Sequence, residues 1–210
     1  MPVLNPRTSP PLEDLLPGPY RLVDLELTCW PGSLHRGWSG PEEFREVVQC
    51  GFVDFDYCPH SGQIIATYSQ SCLCRPFHNP CLSADFTNLT GITNDQLSRF
   101  SVPFESVFLA VGDGPVSLLA NGDDVEILNE NAVIHGLSFS RLSGFDLRPF
   151  LSRKLGIPAS QCISSRLPGI LGDCPSPSLQ PHQALDDCWC VLHALAIALG
   201  CQVIDQTRNH

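Results

Sequence analysis

The chain has 210 residues, of which 43% are hydrophobic, and this size and composition fit one globular domain with a real core. The formal net charge of −10 argues against a protein that coats duplex DNA, because contacts to phosphate dominate that kind of binding. The longest apolar run, residues 188–199, is too short to span a bilayer, so no membrane attachment is expected.

The first half of the chain consists of a Pro-rich segment followed by three predicted strands. Residues 1–19 contain six prolines and lack the apolar core of a signal peptide. Apolar alternation then predicts a strand and, after a Gly-rich loop at 31–41, a hairpin with its turn at 59–62. The three strands span residues 20–27, 47–57 and 64–74.

The second half is predicted to be mostly helical. Short helical pieces are expected between residues 83 and 111, with a helix start at Thr93. The later elements are a short buried strand at 115–120, helices at 124–136 and 146–155, an irregular Pro/Gly-rich stretch at 164–181 and an amphipathic helix at 181–199. This order of elements predicts a single α/β domain with a mixed sheet.

The cysteines favour a reducing compartment over a disulfide scaffold. There are eleven, an odd number, scattered along the chain without any Cys-x-x-Cys pair, which also disfavours a zinc knuckle. Reduced, mostly buried thiols explain them better, and a cytoplasmic location is expected on that ground.

Two carboxylates share one face of the first predicted strand. Asp24 and Glu26 are two residues apart, and side chains at that spacing point to the same side of a strand. Two acids side by side on an otherwise apolar strand are costly unless a cation lies between them. A divalent metal ion satisfies that requirement, whereas a simply solvated strand face is the ordinary alternative.

Two further stretches place acids at helix starts. Asp124 follows a short strand and a glycine turn, at the edge of the sheet where open α/β sheets keep their sites, although an aspartate there is usually a cap. His182 and Asp186 are four residues apart and are expected one above the other on the last helix. This geometry favours Asp186 as a ligand and turns Asp187 toward solvent, while a solvated helix start remains the alternative.

Together and in this order, these stretches resemble the Asp-Glu-Asp-Asp exonuclease superfamily, in the branch with a catalytic histidine (DEDDh), and within it the Eri-type 3′–5′ exoribonucleases. The stretch Val23–Trp30, VDLELTCW, is similar to the first motif of that branch, and His182–Asp187, HQALDD, is similar to the third. Arg75-Pro76 followed by Leu89–Leu97 is similar to the stretch before the second motif. The resemblance covers roughly residues 20–199.

The resemblance implies a ribonuclease H-like fold, with a mixed five-stranded sheet flanked by helices. The exonuclease domain would span residues 20–203, preceded by the Pro-rich segment at 1–19 and followed by a tail at 204–210. The implied activity is hydrolysis at the 3′ end of single-stranded RNA, with release of nucleoside 5′-monophosphates, using two Mg²⁺ or Mn²⁺ ions. The oligomeric state does not follow from the sequence.

The same resemblance implies roles for particular residues. Four acids would be the metal ligands, namely Asp24, Glu26, Asp124 and Asp186. His182 would act as general base, since an ordinary histidine pKa of about 6.5 suits proton transfer at neutral pH. Three residues would contact the terminal nucleotide, namely Thr28, Leu89 and Thr90, although a buried core leucine is an equally good interpretation of Leu89.

One departure from the family pattern lies in the second motif. Relatives usually carry an aromatic residue just before the aspartate, where this chain has Asn121-Gly122-Asp123. Asp124 is still favoured as the ligand, because the apolar residues that follow it then match the family pattern. The substrate is expected to be held differently at this stretch, because the aromatic residue of the relatives is missing.

Two other functions are compatible with these residues. One is a DNA-directed 3′–5′ exonuclease with the same four acids, and the other is a degenerate relative that binds RNA or a protein without catalysis. Three basic residues are expected either to guide phosphates or to form an ordinary solvated face; they are Arg148, Arg153 and Lys154.

Overall fold

The computed structural model describes residues 10–114, 116–172 and 179–207. Within these ranges six strands form one sheet. The strands are β1 (Gly18–Leu27), β2 (Val47–Cys58), β3 (Gln63–Leu73), β4 (Ser117–Ala120), β5 (Gly144–Asp146) and β6 (Gln202–Asp205). Their order across the sheet is β5-β4-β1-β2-β3-β6.

The sheet has an antiparallel centre and parallel edges. β1 pairs antiparallel with β2, and β2 pairs antiparallel with β3 in the predicted hairpin, whereas β4 runs parallel to β1, β5 to β4 and β6 to β3. The predicted α/β class with a mixed sheet is confirmed. The expected number of five strands is wrong, because β5 has three residues and β6 has four, and strands so short show too little alternation to be recognised.

Helices flank the sheet on both sides. Those in the described ranges are α1 (Ser33–Arg36), α2 (Ala84–Thr90), α3 (Asn94–Phe100), α4 (Phe104–Gly112), α5 (Asp124–Ile134), α6 (Arg148–Leu155), α7 (Leu167–Leu171) and α8 (Ala184–Leu199). Two 3-10 turns, Ala159–Gln161 and Ser164–Arg166, precede α7.

Most of the predicted helices are present, with two corrections. Thr93 starts α3 through a capping box with Gln96, as this spacing predicts. The stretch 164–181, predicted to be irregular, contains α7, and its residues 173–178 lie outside the described ranges. The last helix begins at Ala184 and not at residue 181, because His182 has a left-handed φ of 61° that a helix does not contain.

The two faces of β1 belong to two different cores. Leu22 packs in the cluster that holds the buried side of α8, whereas Val23 and Leu25 pack in the cluster that holds α4 and α5. Because successive side chains on a strand point to opposite faces, Asp24 and Glu26 point to the face that α8 covers.

The N-terminal segment is packed on the domain from residue 10 onward. Leu12 and Leu15 are buried in the core cluster that includes α8. The Asp146 N–H donates to the Pro10 carbonyl (2.9 Å), and the Leu12 N–H donates to the Asp146 carbonyl (3.0 Å). The segment therefore lies along β5.

The sequence also led to expectations about membrane spans and about the cysteines. Throughout the described ranges, every helix is too short or too polar to cross a bilayer. The ten cysteines in the same ranges are free thiols, and four of them, Cys50, Cys74, Cys162 and Cys188, are fully buried.

Candidate functional site

A glycine on β2 brings the start of α8 against the sheet. Gly51 pairs with Asp24 in the register of β1 and β2. A Cβ atom at Gly51 would lie 2.3 Å from the backbone nitrogen of Leu185, a distance that only a residue without a side chain permits. The close approach places the first turn of α8, and the residues just before it, beside the carboxylates of β1.

Three side chains meet at this point. Glu26, His182 and Asp187 each offer a ligand atom, and these atoms all lie within 4.8 Å of one another. Glu26 is only 8% exposed and Asp187 only 4%. The His182 backbone acts to lower the pKa of Asp187, as a donor beside a carboxylate does.

The structure corrects the choice between two neighbouring aspartates. Asp187 was expected to face solvent, but it is buried in the cluster with Glu26. The Asp186 carboxylate is directed elsewhere and accepts a hydrogen bond from the Gln180 N–H (2.9 Å). The spacing rule failed because His182 precedes the helix, so its relation to Asp186 is not that of two residues one helical turn apart.

Asp124 is the first residue of α5, which follows β4. It lies close enough to Asp24 to raise the pKa of that carboxyl group. Burial raises the pKa of Asp124 itself to about 7, although the nearby Arg148 guanidinium acts in the opposite direction. Asp123, its neighbour, is exposed.

Arg148 occupies the space beside the altered second motif. Its Nη2 donates to the Asn121 carbonyl (2.7 Å), and a Cβ atom at Gly122 would lie 2.2 Å from that same nitrogen. Gly122 has a φ of 139°, which side chains rarely adopt. The stretch that departs from the family pattern therefore contains a glycine that leaves room for an arginine.

The pKa values of the clustered carboxyl groups are raised. Burial, with Asp187 and Asp124 nearby, raises the pKa of Glu26 to about 8. Burial, together with Asp186 and Asp124, raises the pKa of Asp187 to about 7. The pKa of Asp24 lies well above its ordinary value, because the group is buried and other carboxylates surround it. Without a cation, the site therefore resists full ionisation.

The cluster fits a divalent cation. Oδ1 of Asp187 is buried and has no hydrogen-bond partner within the described part of the chain, and a buried carboxylate oxygen in that state calls for a cation or a proton. Carboxylate oxygens are the ligands that Mg²⁺ and Mn²⁺ prefer. Asp24, Glu26 and Asp124 supply further oxygens around the same point.

The three residues expected to contact a nucleotide differ in exposure. The Leu89 side chain is 48% exposed, so it is not a core leucine. Thr28 and Thr90 are buried, and their hydroxyls serve the protein itself: Thr28 Oγ1 donates to the Phe44 carbonyl (2.6 Å) and Thr90 Oγ1 to the Phe86 carbonyl (3.0 Å). These two threonines shape the backbone beside Leu89 and after β1.

Ser164 is a site residue that the sequence did not reveal. Ser164 acts to lower the pKa of Asp24, and its hydroxyl accepts a hydrogen bond from Asn121 Nδ2 (3.1 Å). The stretch around it was predicted to be irregular, and no spacing connects it with β1. Only the packing of the 3-10 turn against the sheet shows the contact.

Comparison with solved structures establishes the fold. The chain is similar to the nuclease domain of 3′hExo, a DEDDh family member, bound to rAMP: the identity is 23% and the TM-score 0.69, over 89% of this chain and 94% of that one. It is also similar to cell-death related nuclease 4 (CRN-4), at 15% identity and a TM-score of 0.66, over 87% of this chain and 64% of that one.

A bacterial enzyme shows the same architecture. The E. coli exonuclease I complex with single-stranded DNA is 14% identical, with a TM-score of 0.59, over 85% of this chain and 40% of that one. No family model and no curated protein matches the chain. The chain thus has the fold of the DEDDh exonuclease structures, as the resemblance of its motifs predicted.

Proposed function

We propose that the chain is a DEDDh-type 3′–5′ exonuclease that removes nucleotides from the 3′ end of single-stranded RNA and releases nucleoside 5′-monophosphates. One observation carries this proposal: acids from three distant stretches of the chain meet a histidine on one face of the sheet. The members of this group are Asp24, Glu26, Asp124, His182 and Asp187.

The four carboxylates would hold a pair of divalent ions, Mg²⁺ or Mn²⁺. Such ions, when bound, neutralise charge on the attacking and departing oxygens of a phosphodiester. Burial and the three other acids raise the pKa of Asp24, so this residue would be one of the ligands. Asp187 replaces Asp186 in this set, because only Asp187 has its carboxylate in the cluster.

His182 is the proton acceptor in this proposal. Burial lowers the pKa of His182, and the nearby Arg166 lowers it further. The imidazole is therefore neutral near pH 7, and a neutral ring nitrogen beside Glu26 and Asp187 can take the proton of the attacking water. Glu26 and Asp187, whose ligand atoms lie within 4.8 Å of that of His182, would hold the metal ions and not the phosphate itself.

The substrate end would lie against the last turn of α2. Leu89 presents an exposed apolar side chain there, which can pack on a terminal base. RNA is favoured over DNA, because the 3′hExo structures, one with rAMP and one on 3′-end recognition of a histone mRNA stem-loop, are each 23% identical to this chain, whereas the exonuclease I complex with single-stranded DNA is 14% identical.

The proposal is tested with a single-stranded RNA labelled at its 5′ end. Incubation with Mn²⁺ should give a ladder shortened from the 3′ end, a label at the 3′ end should appear as mononucleotide, and EDTA should stop both. Asp24→Asn is the matched control, since it changes one oxygen to an amide nitrogen and should abolish the ladder. A ladder that persists in Asp24→Asn would reject the site.

The same assay separates the alternatives. A DNA oligonucleotide of the same sequence, degraded faster than the RNA, would replace the RNA proposal with a DNA-directed exonuclease. Retention of RNA on a filter without any degradation, in Mg²⁺ and in Mn²⁺, would identify a degenerate binding protein.

A further inference from the structure

Two side-chain amides link the segment that carries His182 to the end of α2, which carries Leu89. We propose that Gln49 and Gln183 are positioning residues, which hold the histidine in register with the terminal nucleotide. This inference rests on the proposed nuclease function. Neither glutamine belongs to the acidic cluster.

Gln49 connects the central strand β2 to the start of α8. It pairs with Glu26 in the β1–β2 register and is 7% exposed. Its Oε1 accepts a hydrogen bond from the Ala184 N–H (2.9 Å), and its Nε2 donates to Gln183 Oε1 (3.1 Å). Gln49 thus supplies the first N–H of the helix with an acceptor that the N-cap residue Gln183 does not provide.

Gln183 extends the connection to the end of α2. Its Nε2 donates to the carbonyl of Thr90, the last residue of that helix (2.5 Å), and its Oε1 accepts from Gln49 Nε2. The amide nitrogen can only donate and the amide oxygen can only accept, so both groups of Gln183 are used. A partly buried amide that loses one of these partners is less stable, so the orientation of both amides is fixed.

The two ends of this chain of bonds are the two functional parts of the site. At one end His182 precedes Gln183 directly, outside the helix and with a left-handed φ of 61°, so its backbone is not held by helical hydrogen bonds. At the other end Leu89, 48% exposed, precedes Thr90. The chain of hydrogen bonds through Gln49 and Gln183 would thus connect a base packed on Leu89 with the ring of His182.

Substitutions can break the links one at a time. Gln183→Glu keeps the acceptor for Gln49 but loses the donor to Thr90, whereas Gln49→Glu keeps the acceptor for Ala184 but loses the donor to Gln183. Gln183→Met removes both bonds of residue 183 without adding a charge. The matched control is Gln202→Glu, which makes the same chemical change at an exposed position of β6.

A small displacement of a catalytic group can cost on the order of 100-fold in rate. We expect Gln183→Glu and Gln183→Met to lower kcat about 10-fold to 100-fold, with KM changed less than about 3-fold and the melting temperature close to that of Gln202→Glu. If the Gln183 variants lose activity only in proportion to the fraction of protein that is unfolded, each folded molecule has a normal rate. That result would overturn the inference.

A double-mutant cycle with His182→Ala gives the decisive result. General-base removal costs about 100-fold to 10,000-fold, and single-turnover assays with excess enzyme can follow the residual rate. If Gln183 acts through His182, Gln183→Met should have almost no effect in the His182→Ala background. A full, additive effect there would overturn the positioning role, while an inactive wild-type chain would overturn the nuclease proposal itself.

Discussion

Ligand atoms of His182 and Asp187 lie within 4.8 Å of each other, although the two residues are five positions apart in the chain. Gln183 and the first turn of α8 separate them, and the Asp187 side chain is buried beside Glu26. The left-handed φ of His182 places this residue outside the helix, so the spacing of helical side chains does not apply to this pair.

The first prediction compares the two neighbouring aspartates. Asp187→Asn should lower kcat/KM for RNA by at least about 100-fold, since even a substitution that only supports a metal ligand costs about 10-fold to 100-fold. Asp186→Asn should change it less than about 3-fold, because that carboxylate is directed away from the cluster and accepts a hydrogen bond from the Gln180 N–H. Steady-state rates of both variants give the answer; the reverse order would restore Asp186 as the ligand.

The second prediction concerns the contact between β2 and α8. Gly51→Ala should destabilise the fold by about 1–3 kcal/mol or more, as overpacking does, because its Cβ would meet backbone atoms of Ala184 and Leu185 at 2.4 and 2.3 Å. Gly169→Ala is the control, since no atom lies within 4 Å of a Cβ there. Urea denaturation measures both, and equal midpoints would contradict the close packing.

The third prediction concerns the arginine that supports Asp124. Arg148→Gln removes a cation that favours the ionised form of Asp124 and weakens the contact with the Asn121 carbonyl. The Mn²⁺ concentration for half-maximal activity should rise about 10-fold or more. Arg153→Gln, at an exposed position of α6, should leave it unchanged, and a similar rise in both variants would remove the special role of Arg148.

The fourth prediction is a dependence of stability on pH in the absence of metal. The pKa of Glu26 is raised from 4.5 to about 8, and that of Asp187 from 3.8 to about 7. The folded state therefore binds these protons more tightly than the unfolded state, and the stabilisation present below pH 4 is lost as the pH rises through 7 and 8. Melting temperatures in EDTA should fall between pH 5 and pH 8.

The control for this dependence is Glu26→Gln combined with Asp187→Asn, whose side chains do not titrate. Its melting temperature should fall less over the same interval, and added Mn²⁺ should stabilise the wild-type protein more at pH 8 than at pH 5. An equally steep fall in the variant would assign the pH dependence to other groups.

The sequence was sufficient for the parts of the site that depend on strand periodicity. Asp24 and Glu26 share a face because every strand alternates, and Asp124 follows β4 because a glycine turn and an acid mark a helix start. The choice between Asp186 and Asp187 needed the true beginning of α8. That beginning is set by the contact with Gly51, which lies more than a hundred residues earlier in the chain.

Other features depend on contacts between stretches that no spacing rule connects. The hydrogen bonds of Gln49 and Gln183 join β2, the start of α8 and the end of α2. In the sequence, neither glutamine belongs to a motif that predicts these contacts. Arg148 was expected on a solvated or phosphate-guiding surface, but it lies against Gly122.

The residues before β1 also cover one edge of the sheet. β5 is the last strand at its side of the sheet, and an open strand edge is a template for pairing with a second molecule. Pro10 and Leu12 already take the carbonyl and N–H of Asp146 into hydrogen bonds. Because Pro10 and Pro11 carry no N–H of their own, this added segment offers few donors to a further strand, which opposes edge-to-edge aggregation.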